Sequence, residues 1–275
     1  MIRPLTPADA PACREVTTAA LAELYDDLPP DTPENNARAE ARILHLQETD
    51  PDSAWVAEED GKVVGCGLAL VREGMWFLSL LMVDPTQQSK GVGRDLLDAT
   101  LRTATDRSWI LATLSPAALR RYRRAGFDLV PCLSTKGTVD RSLIPATPVR
   151  ETTWAEHGEL VDDVARKVRG AGMAPDLAYL ERMGNRLFVA DDGYAILRSG
   201  LVSMGALDPA VAQQLLWTVL AECKQPVEVD WLAHDQQWAI DVVLDARLPL
   251  SNGEGHVFLR GQPPMSPYLP GGALG

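Results

Sequence analysis

The chain has 275 residues, 46% of them hydrophobic, and a formal net charge of −12 at pH 7. That length holds one large domain or two of ordinary size, and the acidic balance argues against general nucleic-acid binding, which rests on neutralising phosphates. The four cysteines (Cys13, Cys66, Cys132, Cys223) form no Cys-x-x-Cys and read as reduced structural thiols. The start, Met1-Ile2-Arg3-Pro4, has no apolar signal core, and the longest apolar runs are strand-sized. No membrane span and a cytoplasmic setting are therefore expected, and the four scattered histidines lack metal-ligand spacing.

In chain order, residues 9–28 and 35–47 have helical periodicity, with an acidic loop between them carrying Glu23, Asp26, Asp27 and Glu34. Residues 54–58 and 62–71 read as a hairpin around Glu59-Asp60-Gly61, a favoured turn. Residues 75–83 form the next strand, and 91–107 a helix with Val92, Leu96, Leu97, Leu101 and Ala104 on one stripe. A strand at 109–114, a helix at 116–125 and closing strands over 127–139 complete a mixed α/β half. Near Pro145-Ala146-Thr147-Pro148 the pattern restarts: helices at 155–169 and 175–183, and strands at 187–190, 194–198 and 201–207. A helix running to Glu222, a strand at 227–232, a helix at 235–247 and a strand at 256–259 follow. The tail from Pro263 to Pro270 is proline-rich and extended.

The most informative string is Gln88-Ser89-Lys90-Gly91-Val92-Gly93, between a strand ending at Asp84-Pro85 and a helix. Glycines let backbone approach a ligand closely, and the first N–H groups of a helix, with its dipole, favour an anion such as a pyrophosphate. The string is no P-loop. Leu96 stands where a dinucleotide fingerprint or a kinase loop needs its third glycine.

Leu81-Met82-Val83-Asp84-Pro85 followed by Gln88-x-x-Gly91-x-Gly93, and thirty residues later Tyr122-Arg123-Arg124-Ala125-Gly126-Phe127, resemble the two motifs of the GNAT acyltransferase superfamily. The resemblance covers roughly residues 1–140. It implies acetyl-CoA, or another acyl-CoA, as donor and no metal. It places the pyrophosphate on Gln88, Ser89, Lys90, Gly91, Val92, Gly93 and Arg94, and the pantetheine arm along the edge of Leu81, Met82 and Val83. Tyr122 stands at the family's position for the acid that protonates the leaving thiolate. Two departures stand out: Ser115-Pro116 where the family often has Asn, and a fourth strand without the family's carboxylate base. Glu23, Asp26 and Asp27 are the alternative carboxylates.

The second half repeats the architecture with a deletion. Asp84-Pro85 precedes Leu96-Leu97 by ten intervening residues, whereas Asp208-Pro209 precedes Leu215-Leu216 by five, and the glycine loop is among the residues lost. The expected organisation is two tandem GNAT-like domains, each a mixed, mostly antiparallel sheet flanked by helices. Residues 1–145 form the acyltransferase domain with the CoA site, and 146–275 a degenerate copy with a proline-rich C-terminal tail. The expected reaction is N-acetylation of a small amine by direct attack in a ternary complex. A non-catalytic acyl-CoA sensor and a peptide or protein N-acetyltransferase are the rivals. The sequence leaves the oligomeric state open.

Overall fold

The protein is described by a computed structural model. It covers every residue except Asp27, Thr147, Pro148, Gly253, Glu254 and Ala273; the base candidate Asp27 and half of the expected linker thus lie outside the described residues. The fold is α/β, with two mixed, mostly antiparallel sheets flanked by helices. The chain separates into two compact units, Met1–Ile110 and Leu111–Gly275. The first unit ends upstream of the expected junction at residue 145.

The first unit contains β1 (Ile2–Pro4), α1 (Ala10–Ala22), α2 (Pro33–Thr49), β2 (Ala54–Glu59), β3 (Lys62–Arg72), β4 (Met75–Val83), α3 (Val92–Thr100) and most of β5 (Arg107–Ala112). The strands lie in the order β1-β2-β3-β4-β5; all neighbours are antiparallel except β4 and β5, which are parallel. Two-residue turns join the hairpins. Asp60 and Gly61 (φ 50° and 76°) and Glu73 and Gly74 (φ 46° and 79°) take the paired positive φ values that match the twist of the strands. Leu68, Leu70, Trp76 and Phe77 from β3 and β4, with Ile43, Leu46 and Leu96 from the helices, are sealed in the core.

α3 is shorter than its sequence period implies. Thr100 turns its hydroxyl onto Leu97 O (2.9 Å), and the Trp76 indole donates to Thr100 O at 3.2 Å. That carbonyl is thus engaged sideways, and the chain tightens into a 3₁₀ turn over Leu101–Thr103.

The second unit contains α4 (Pro116–Arg124), β6 (Asp128–Pro131), β7 (Leu133–Gly137), β8 (Glu151–Thr152), α5 (Trp154–Val168), α6 (Ala174–Arg182), β9 (Arg186–Ala190), β10 (Gly193–Arg198) and β11 (Leu201–Ala206). It continues with α7 (Pro209–Glu222), β12 (Val227–Leu232), α8 (Gln237–Asp245), β13 (Leu250–Ser251), β14 (His256–Arg260) and β15 (Tyr268–Leu269). From β8 to β12 it repeats the first unit element for element: strand, two helices, three antiparallel strands, helix, then a strand parallel to its neighbour. Leu215, Leu216, Val219 and Leu220 of α7 form its core with Met204 and Val229.

The closing strands trade places relative to the sequence reading. β7, expected to finish the first half, lies in the second sheet between β13 and β12, and β14 from the chain's far end pairs with β6. Among the described residues no helix is long and apolar enough to cross a membrane.

Candidate functional site

The site begins with a defect in β4. β3 and β4 run in register until Leu68 faces Leu80 and Ala69 faces Leu78, which leaves Ser79 as the extra residue of a β-bulge. The parallel ladder between β4 and β5 stops at the same level, with Leu78 opposite Ile110. β4 itself continues to Val83. Its last residues, Leu81, Met82 and Val83, are half-buried; β3 pairs them on one side, and no strand pairs their other edge among the described residues. Unpaired strand edges are templates for another extended chain.

The helix that follows is seated by two glycines in β3. Side chains alternate along a strand, so Gly65 and Gly67 face one side of the sheet and Cys66 the other. A Cβ on Gly65 would meet Leu96 Cδ1 at 2.8 Å and Met82 O at 3.1 Å; one on Gly67 would meet Thr100 Cγ2 at 3.1 Å. α3 therefore lies closer to the sheet than any side chain at 65 would permit, which fixes its N-terminus beside the end of β4. On the opposite face the Cys66 thiol lies 4.0 Å from Thr17 Oγ1 of α1, so α1 and α3 cover opposite sides of the sheet. Alternating glycines inside an apolar strand are a legible sign of close backbone approach, and the sequence reading passed over them, as it did the bulge.

Between β4 and α3 lies the loop. Asp84 accepts from Thr86 N–H (2.8 Å) and Thr86 Oγ1 (2.6 Å) and sets a 3₁₀ turn over Pro85–Gln87. Gln88 reaches back toward Val83 O at 3.5 Å, and Lys90 Nζ donates to Gln87 Oε1 at 2.7 Å. Ser89 (φ 67°) and Gly91 (φ 93°) both lie in the left-handed region, the first an uncommon place for a non-glycine residue. Gly91 is the N-cap of α3 and brings no side chain to cap it. The N–H groups of Val92 and Gly93 sit in the first turn, where no preceding helical carbonyl reaches them. Arg94 is exposed, folds back over Gly91 and is held by Asp95 Oδ1 at 2.8 Å. The result is a cationic, uncapped helix start on a curved backbone, which suits an anion.

The second copy shows what the five lost residues do. There Asp208 is itself the N-cap of α7, and its Oδ1 accepts from the N–H groups of Ala210 (2.7 Å) and Val211 (3.3 Å). The helix start is occupied by the protein's own carboxylate, and an incoming phosphate would meet a negative charge.

Tyr122 belongs to the second unit. It is the one buried residue of α4, with Arg120, Arg123 and Arg124 on the exposed side and Arg123 tied to Phe127 O and Asp128. Its ring meets Phe258 of β14 edge-on at 5.3 Å. Burial pushes its phenol up to about 12, so it keeps its proton at neutral pH. The other proposed site residues, Leu81 to Val83 and Gln88 to Arg94, form one continuous structure in the first unit. Of the carboxylate candidates, Glu23 and Asp26 are exposed. An open groove of about 430 Å³ in the second unit, bordered by Arg150, Glu151, His157, Asp191 and Gln214, contains none of the predicted residues.

Residues 21–127 match the family model described as the acetyltransferase (GNAT) family. No curated protein matches the chain. Among solved structures, a candidate acetyltransferase from Pyrococcus horikoshii is similar over 100% of this chain and 95% of its own, with a TM-score of 0.81 at 18% identity. A GCN5-related N-acetyltransferase from Sphaerobacter thermophilus is similar over 94% of this chain and 93% of its own, with a TM-score of 0.58 at 18% identity. One from Kribbella flavida covers 94% and 71%, with a TM-score of 0.57 at 17% identity. At these identities the structures speak for fold alone: residues 21–127 are similar to the acetyltransferase (GNAT) family, and the two mixed sheets flanked by helices have the fold of two tandem GNAT-like domains.

Proposed function

We propose that the chain is an N-acyltransferase that moves an acetyl group from acetyl-CoA to the amine of a small molecule. The observation that carries this reading is the uncapped start of α3 at Gly91 beside the free edge of β4. The residues fit the donor. The N–H groups from Gln88 to Arg94 would receive the pyrophosphate, with Lys90 and Arg94 adding charge, and Leu81, Met82 and Val83 would hydrogen-bond the amides of the pantetheine arm as an added strand. Acyl-CoA supplies an activated thioester. A neutral amine attacks its carbonyl carbon, the C–N bond forms, the C–S bond breaks, and the sulfur leaves as a thiolate. A backbone N–H near Val83 would stabilise charge on the carbonyl oxygen.

By family resemblance Tyr122 would give its proton to the thiolate, a role that its protonated phenol supports. The general base is a water chain or a carboxylate of the acidic loop between α1 and α2. The net charge of −12 favours a cationic acceptor and disfavours nucleic acid. The two copies would meet near residue 145, just before the repeated order of elements restarts at β8, and a cytoplasmic setting fits the free, buried cysteines.

Release of free thiol from acetyl-CoA in the presence of a panel of small amines tests the reading. Turnover with at least one amine is expected. Tight CoA binding with no turnover on any amine or peptide would leave a sensor instead.

A further inference from the structure

The second sheet repeats the parting of β4 and β5, but there the parting is filled. β11 pairs in parallel with β12 at Leu201–Glu228 and then continues to Ala206. Its other edge is taken by β10 along its whole length. β15 nevertheless pairs antiparallel with β11, Leu269 with Met204 and Tyr268 with Gly205. With the β10 edge occupied, β15 can only lie on the β12 edge, inside the parting. Ala206 N–H donates to Pro267 O there at 3.2 Å. In the first copy the corresponding edge is the free side of Leu81–Val83. The occupant in the second copy is an extended amide chain, chemically similar to a pantetheine arm.

Buried polar groups on several elements converge on this segment. Pro267 to Pro270 are buried, and Leu269 is 0% exposed. The side-chain carbonyl of buried Gln236, the N-cap of α8, accepts from Tyr268 N–H at 3.3 Å, with Ser266 Oγ at 3.1 Å. Buried Arg169, at the end of α5, donates to Ala171 O and Gly172 O at 2.8 and 2.7 Å, and to Leu274 O and Gly275 O at 3.0 and 3.2 Å.

We infer that segment 266–270 is a built-in ligand of the second cleft. It lies as an added strand where an acyl-CoA arm would lie in the first copy, and it closes the second cleft together with the Asp208 cap. This inference rests on reading the first cleft as the acyl-CoA site. A ligand differs from an integral strand in one respect: it leaves while the sheet stays.

Hydrogen exchange on the full wild-type chain measures that difference. Amides of Tyr268 and Leu269 are expected to exchange through a local opening at least ~10-fold faster than those of β10 and α7. Exchange of the tail, β10 and α7 at one common rate would overturn the inference. In the full-length Leu269→Asp chain, a charge at a sealed position dislodges the segment. A fluorescently labelled synthetic peptide of residues 264–275 should then bind this variant at least ~10-fold more tightly than it binds wild type. Equal binding to a folded variant would also overturn it, and if the variant does not fold, the wild-type exchange decides. CoA titration of the wild type is run alongside. Failure to bind CoA removes the first-cleft reading and leaves the exchange result standing.

Discussion

Replacing Gly91 with alanine isolates the backbone contribution to the anion loop. Gly91 holds φ 93° and ψ −12° as the N-cap of α3. A left-handed conformation costs an L-residue about 1–2 kcal/mol. Nothing adds to this sterically: a Cβ would meet only the Arg94 guanidinium, at 3.4 Å, and that side chain is exposed and free to move aside. Stability to urea is therefore expected to fall by about 1–2 kcal/mol, unless the loop relaxes. If the ligand-free loop relaxes and is forced back on binding, the same strain appears in affinity as a loss of about 5–30-fold in Kd. Calorimetric titration with CoA, paired with urea unfolding, reads both quantities. The sum of the two penalties should approach the strain. A Kd within twofold of wild type together with a stability loss well under ~1 kcal/mol would mean that the loop relaxes at no cost to binding, and the pyrophosphate assignment would be wrong.

Tyr122→Phe keeps the edge contact with Phe258 and removes the proposed acid. kcat with acetyl-CoA should fall by about 100-fold or more with the melting temperature little changed. Because the folded phenol titrates at about 12 and a free one near ~10, the contribution of Tyr122 to stability should be constant below pH ~10 and decline as pH rises toward 12, a decline absent in the Phe variant under alkaline thermal unfolding. Asp208→Ala removes the cap of α7 and should cost about 1 kcal/mol. CoA stoichiometry should stay at one per chain in the same titration, since the tail still fills the cleft. Asp50→Ala breaks the sealed ion pair that Asp50 makes with the Arg72 guanidinium at 2.8 Å; a loss of about 3–5 kcal/mol in urea unfolding is expected. Asp9 is held well below the usual carboxylate range, chiefly by hydrogen bonds from Arg3. Its contribution is present above pH ~4 and is lost as pH falls through the lower folded value, so Asp9→Asn should flatten the acid limb of a stability profile.

Local chemistry made much of the fold legible. Asp60-Gly61 announces its turn because few residues accept paired positive φ, and Asp84-Pro85 and Asp208-Pro209 mark two strand-to-helix junctions whose unequal spacing predicted the lost loop. The candidate loop is legible for the same reason at Gly91, whose left-handed φ has a conformational cause; Gly93 lies within α3. What was hidden is non-local. Nothing in Leu133–Gly137 tells it to pair with Val227–Leu232 rather than with its neighbours, and the proline-rich tail reads as extended without disclosing the edge that receives it. The bulge at Ser79 is silent because leucines flank it on both sides, so an alternating pattern cannot register the slip. Tyr122 was legible as a motif; its protonation state depends on burial, which only the folded chain supplies.

The traded closing strands also constrain the chain's manufacture. β7 is synthesised before the junction between the copies, yet it waits for β12 and β13 to be made, and β6 waits for β14. A gene cut at that junction would yield two products, each lacking a strand carried by the other. Strands made early in the chain thus complete pairings with strands made late.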